Sequence, residues 1–166
     1  MRLLVSLALF LVALGSALPA EPSAIETATS AGVQVTIPAG WHADTNRAPA
    51  CDPARLMLLS SGPIRTAHTG GLLPPTRDQV LVAVVEDHAN LPVGNLHRPA
   101  RFSVDWSHPL RLEGSGCGVP DAPASMHWFH THGRYLGLTV FPGSDVAAAT
   151  RAQTIAVMDS LRVTDP

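Results

Sequence analysis

Three histidines close together are the residues of this chain whose type and spacing most suggest chemistry. His127, His130 and His132 are three of eight histidines in a chain of 166 residues. On a β-strand, alternate side chains share a face, so His130 and His132 would lie together and His127 opposite them. Neutral imidazole is a common zinc ligand. The spacing therefore predicts either a zinc site at His130 and His132 or an ordinary strand that is rich in histidine.

Two histidines alone make only a weak zinc site, so a third ligand for a firmly bound ion would have to come from elsewhere in the chain. The side chains that could supply it are His68, His88, Asp87 and Asp105, and the sequence does not place any of them beside the pair. His132-Gly133-Arg134 also has the composition of a tight hairpin turn, which would take His132 off the strand face. We therefore expect scaffold histidines first, with no cofactor, and a zinc site as the alternative.

The two cysteines, Cys51 and Cys117, lie in segments rich in proline and glycine. In an exported chain they would meet an oxidising compartment, so we expect a disulfide between them. By chain entropy such a crosslink stabilises by about 4 kcal/mol. The alternative, a catalytic thiol, would need a neighbouring base or a helix N-terminus.

Composition excludes several classes of function. The chain contains no lysine, so it has neither a Walker-type phosphate-binding lysine nor a Schiff-base lysine. Its eleven basic residues are scattered arginines and its net charge is −2, so we expect no nucleic-acid partner. No nucleophile elbow, His-Glu-x-x-His motif or phosphate-binding glycine loop is present.

The N-terminus predicts export. Arg2, an apolar run and the small residues before Glu21 have the pattern of a secretory signal peptide over residues 1–20. The run is too short for a comfortable membrane span, so we expect no stable membrane insertion after cleavage. Residues 21–32 predict a flexible leader, and residues 33–166 a single domain.

Hydrophobic patterns predict an α+β domain, with a mostly antiparallel β-sheet and a C-terminal helix packed on one face. The strands are expected at 33–37, 56–60, 80–85, 102–104, the histidine-rich segment and 135–141. The run 80–85 is apolar at every position, which is typical of a central strand covered on both faces.

The last segment predicts the helix. Ser144 or Asp145 could cap it, and 147–161 supplies alanines and a spaced apolar set. The stripe expected to face inward consists of Ala148, Ala152, Ile155, Met158 and Leu161 or Arg162.

Two motifs resemble those of small secreted PsbP-like α+β domains and of uncharacterised exported actinobacterial-type proteins. One is the strand that runs into Pro38-Ala39-Gly40-Trp41, and the other is the ending 151–161 with Asp159-Ser160-Leu161. The resemblance implies an antiparallel sheet with packed helices, used for binding and assembly more than for catalysis, and it implies no catalytic residues.

We therefore expect a secreted, non-enzymatic domain that binds a protein or a small ligand. The alternative from a different class is a metal-binding protein or metal-dependent hydrolase that uses His130 and His132.

Overall fold

The computed structural model describes residues 26–48, 53–68, 71–88, 96–112 and 120–164. The strands are β1 (Glu26–Ser30), β2 (Val33–Ile37), β3 (His42–Asp44), β4 (Ala54–Ser60), β5 (Val80–Asp87), β6 (Leu110–Leu112), β7 (Ala122–Thr131), β8 (Arg134–Pro142) and β9 (Arg162–Val163), and the helix α1 spans Ala148–Asp159. The signal peptide expected at 1–20 and both cysteines, Cys51 and Cys117, lie outside the described residues.

The strands form two antiparallel sheets. The larger has the order β3-β4-β5-β8-β7-β6, and the smaller has the order β1-β2-β9. The prediction of a mostly antiparallel α+β protein is confirmed. The prediction for 80–85 is also confirmed, because β5 lies inside the larger sheet and every one of its residues is buried.

Alternation along β5 divides the buried residues into two clusters. Val80, Val82 and Val84 belong to a cluster that also contains side chains of β2, β8 and α1. Leu81, Ala83 and Val85 face the other way, into a smaller cluster with Ile64 and Leu72 of the loop after β4. A strand with two buried faces has no solvated side, which explains its continuous apolar sequence.

The smaller sheet corrects the prediction of a flexible leader over 21–32. Glu26–Ser30 is strand β1 and pairs along its full length with β2. Ala31 and Gly32 make the turn between them, with φ of 48° and 71°. Residues 26–30 are mostly polar and lack a core-building period, but backbone pairing with β2 orders them, and Ala28 is buried.

The helix is confirmed, and its predicted inward face is confirmed only towards its C-terminal end, where Met158 and Leu161 are buried and Ile155 packs against the core. The residues buried on α1 are Thr154, Val157 and Met158, whereas Ala148 and Ala152 are exposed. The first turn extends beyond the core, so only the second half of α1 contributes buried side chains. Its N-cap is Ala147, which has no side chain able to cap the helix, and the expected cap Asp145 is instead paired with Arg77.

The strand expected at 102–104 is absent from the described structure, and this segment is a loop. Phe102 is nevertheless buried, and its ring contacts Phe129 at a centroid distance of 5.4 Å. Asp159 accepts the backbone N–H of Phe102 at 2.7 Å. The carboxylate of Asp159 therefore satisfies the backbone N–H of Phe102 in place of a neighbouring strand.

The hairpin between β7 and β8 turns at His132 and Gly133, as the sequence predicts. Their φ values are 50° and 71°, which is the left-handed pair that a tight turn of the I′ type requires. Further along the hairpin, the ring of Trp128 covers Gly137, where an added Cβ would lie 2.8 Å from the ring. No helix within the described ranges is long and apolar enough to cross a membrane.

Candidate functional site

A groove of about 500 Å³ lies at one end of the larger sheet. Its walls are mostly apolar, and the lining residues are Pro74, Pro75, Arg77, Trp106, Ser107, Pro109, Ala122, Pro123, Pro142, Gly143 and Ser144. This volume lies within the range of about 300 to 1,000 Å³ that is typical of sites for small molecules.

Prolines give the groove a largely fixed shape. They come from the loop before β5, the segment before β6, the start of β7 and the end of β8. Each proline ring fixes its own φ near −65°, so these walls lose little conformational entropy when a ligand binds. The groove is therefore preorganised by residue type as well as by the sheet.

Backbone hydrogen bonds join two of the walls. The N–H of Gly143 donates to the carbonyl of Gln79 at 2.7 Å, and that of Asp145 donates to the carbonyl of Arg77 at 2.7 Å. A residue larger than glycine would clash at position 143, because an added Cβ would lie 2.0 Å from the carbonyl oxygen of Thr76. The approach of these two segments requires glycine at this position.

The described lining of the groove carries one charged side chain. Arg77 is the only ionisable residue among the lining residues that the structure describes. Its guanidinium contacts Asp145 at 2.8 Å, and both side chains are mostly exposed, so this ion pair is weak.

Trp106 supplies the aromatic surface of the groove. Its ring is half-buried and lies 5.4 Å from the guanidinium of Arg151 on α1, a cation–π contact. Arg151 is held in turn by its bond to the carbonyl of Val146 at 2.9 Å. The indole therefore has a fixed position next to the proline walls.

A second cavity, between Ser60, Ile64 and Leu72, has about 10 Å³. That volume is about enough for a single water molecule. It is too small to be a ligand site.

The structure does not keep His130 and His132 on a common strand face. His132 is in the turn, where its Nδ1 lies 3.0 Å from Oγ1 of Thr131, and it lines a separate cavity of about 230 Å³ with Arg98 and Arg162. His130 remains on β7, exposed, with its ring 4.7 Å from that of Tyr135. Metal binding by this pair stays a prediction, but the assumption that the two imidazoles share one face of a strand is wrong.

The residue that lies beside His130 is one that the sequence reasoning missed. His97 forms a bridge with His130, and the N–H of His130 donates to the carbonyl of Leu96 at 2.6 Å. Local sequence gives no signal for this contact, since the two histidines are on separate segments of the chain. Within the described residues, no group of three or more His, Cys, Asp or Glu side chains could hold a metal ion.

His127 lies on the opposite face of β7, at the core. Its ring contacts Phe102 edge-on at 5.9 Å, and its Nε2 is 3.3 Å from Oγ of Ser125. Burial lowers the pKa of His127 below its ordinary value, because the charged imidazolium loses hydration there.

Arg134 forms a bidentate ion pair within the larger sheet and also reaches the smaller sheet, at the end away from the groove. Arg134 of β8 donates to both carboxylate oxygens of Glu86 at 2.6 and 2.8 Å, and to the carbonyl of Ala31 at 2.8 Å. The hydrogen bonds from Arg134 hold the pKa of Glu86 below its ordinary value and raise the pKa of Arg134. The role of this pair is structural, since its donors and acceptors are used within the fold.

No protein-family model, curated protein or solved structure matches the chain. The resemblance to PsbP-like domains therefore stays a prediction. What can be inferred about function comes from the residues and the groove.

Proposed function

We propose that the protein is an exported, non-enzymatic binding domain, and that its ligand is a small molecule with an apolar body and an acidic group. The groove carries this proposal, because it combines fixed proline walls, an aromatic ring and a single cation. Residues 1–20 support export, since they have the composition of a signal peptide. The proposed crosslink between Cys51 and Cys117 suits the same compartment.

The apolar body of the ligand would lie against Trp106 and the prolines. Removing that apolar surface from water favours binding by roughly 25 cal/mol per Å² before the costs of association. The acidic group would pair with Arg77, which can exchange its exposed contact with Asp145 for one with the ligand. Specificity would therefore depend on one charge and on the shape of the apolar walls.

The proposal includes the position of α1. Val157 and Met158 are buried in the same cluster as Val82 and Val84 of β5, which supports a helix that covers one face of the larger sheet. Such a position would also hold Arg151 in place against Trp106. The shape of the groove at Trp106 would then depend on the packing of α1 as well as on the loops.

The experiment is a titration of protein labelled with 5-fluorotryptophan, followed by fluorine NMR. The chain has three tryptophans, and only Trp106 lines the groove, so Trp41 and Trp128 serve as internal controls. With 2-naphthoate as the probe, we expect the Trp106 resonance to shift and the other two to stay in place. No shift, or equal shifts of all three, would count against the groove as the site.

Matched variants separate the apolar and ionic contributions. Arg77→Gln should weaken 2-naphthoate about fivefold, which corresponds to about 1 kcal/mol for an exposed pair, and leave the neutral analogue 2-naphthalenemethanol unchanged. Asp145→Asn, which frees Arg77, should leave 2-naphthoate binding as tight or make it tighter. Equal losses for both probes in Arg77→Gln would argue against the ionic contact.

A further inference from the structure

His97 and His130 form a pair across two backbone segments that lie side by side. The bridge between them is parallel, and the bond from the N–H of His130 to the carbonyl of Leu96 fixes its register. Residues opposite each other in such a pairing lie about 5 Å apart with their side chains on the same face. Both residues are exposed, so both imidazoles are open to solvent.

The same face continues on the other side of His130. Tyr135 of β8 is in register with His130, and Asp87 of β5 is in register with Tyr135. Asp87 is therefore two strands from His130, about 10 Å away, which is too far for a ligand.

The arginine next to His97 in the chain is directed elsewhere. Arg98 follows His97 in the chain, but its guanidinium lies over the ring of Phe102 at 5.8 Å and donates to the carbonyl of Asp159 at 2.7 Å. Phe102 belongs to the core cluster on the opposite face of the sheet from His130. The arginine next in sequence is therefore held away from the imidazole pair.

We propose that His97 and His130 bind a divalent transition-metal ion of the class that prefers imidazole, namely Cu²⁺, Ni²⁺ or Zn²⁺. Two protein nitrogens would bind the ion, and water would fill its other coordination positions. Such a site exchanges its metal readily, unlike a closed structural zinc site with four protein ligands. The ion would also tie the 96–98 segment to β7. This site is separate from the groove, whose lining contains neither histidine.

The first test is calorimetric titration of the tag-free protein with Ni²⁺ and with Zn²⁺. We expect one site per chain, with affinity reduced about tenfold or more in both His97→Ala and His130→Ala, since each change removes one of two ligands. His132→Ala is the matched control, because His132 is also exposed and lies two residues from His130 but outside the pair. Its affinity should equal that of the unmodified protein.

Two results would overturn the proposal. One is the absence of binding heat for either ion. The other is a loss in His132→Ala as large as that in His130→Ala, together with unchanged binding in His97→Ala, which would return the site to the pair expected from sequence alone.

Pulsed electron paramagnetic resonance of bound Cu²⁺ gives a second readout, because it counts imidazole ligands through their remote nitrogens. We expect two imidazoles in the unmodified protein and one in His97→Ala. One imidazole in both proteins would contradict a shared ion. Thermal unfolding of each variant without metal shows whether it is folded, and added Ni²⁺ should raise the melting temperature of the unmodified protein and of His132→Ala only.

Discussion

The Oγ of Ser160 accepts a hydrogen bond of 2.9 Å from the backbone N–H of Thr36. Strand β9 pairs only with Val33 and Gln34 of β2, so the rest of that edge has no strand partner among the described residues. Ser160 fills this position with a side chain, which protects an otherwise open edge. Its neighbour Asp159 accepts a hydrogen bond from the backbone N–H of Phe102, and Leu161 is buried in the core. The motif Asp159-Ser160-Leu161 therefore contacts the loop at Phe102, the edge of β2 and the core.

Ser160→Ala should therefore lower the free energy of unfolding by about 1 kcal/mol, because the N–H of Thr36 loses its partner. Ser103→Ala is the control, since Ser103 is exposed in a loop. Urea unfolding followed by circular dichroism measures both. Equal stability of the two variants would mean that the Ser160 bond contributes nothing measurable.

Glu86→Gln should destabilise the fold by about 2 to 3 kcal/mol, because Arg134 would keep a largely buried charge without its counter-ion. Asp145→Asn breaks the exposed pair with Arg77 and should cost less than about 1 kcal/mol. Denaturant unfolding at neutral pH compares them. If the two substitutions cost the same, the Arg134–Glu86 pair is not the stronger contact.

The same pair predicts a dependence on pH. The pKa of Glu86 is lower in the fold than its ordinary value of 4.5, so its stabilisation is complete above pH 4.5 and is lost as the pH falls through the folded pKa. Stability measured over the acidic range should therefore fall less steeply in Glu86→Gln than in the unmodified protein. Parallel curves would contradict the assignment.

His127→Phe should remove a second acid-sensitive contribution. The pKa of His127 is below 6.5 in the fold, so on acidification the unfolded chain takes up the proton first, and stability begins to fall below pH 6.5. Phenylalanine keeps the ring contact with Phe102 but does not titrate. Melting temperatures of His127→Phe should fall less between pH 7 and pH 5 than those of the unmodified protein, and equal falls would contradict this role of His127.

Ala31→Asn should stabilise the protein by about 0.5 to 1 kcal/mol. Ala31 has φ of 48°, a conformation that costs a residue with a Cβ about 1 kcal/mol and that asparagine tolerates better. The opposite change, Gly133→Ala at φ of 71°, should destabilise by a similar amount. Melting curves of the two variants should move in opposite directions, and a fall for both would refute the turn assignment.

Local pattern was enough to predict the elements that depend on nearby residues. The apolar run 80–85 predicted a buried strand, and His132-Gly133 predicted the hairpin turn. The alanine-rich segment 147–161 predicted the helix and the later part of its buried face, but not the exposure of Ala148 and Ala152, because tertiary packing decides which turns of α1 meet the core.

Contacts between distant segments could not be predicted in this way. Strand β1 is polar and depends on its pairing with β2, and the bridge between His97 and His130 depends on where the chain returns after β5. The groove is the clearest case, because Pro74, Pro109 and Pro142 each indicate a loop in the sequence and only the fold brings them together.

The proposed binding function is tested most directly by mapping a small acidic aromatic ligand onto the protein by amide NMR. We expect 2-naphthoate to shift the signals of Arg77, Ser107, Gly143 and Ser144 and the indole N–H of Trp106, and to leave those of the hairpin at His132 unchanged. Saturable shifts confined to the groove would support the binding role. Shifts elsewhere, or none at millimolar ligand, would contradict it.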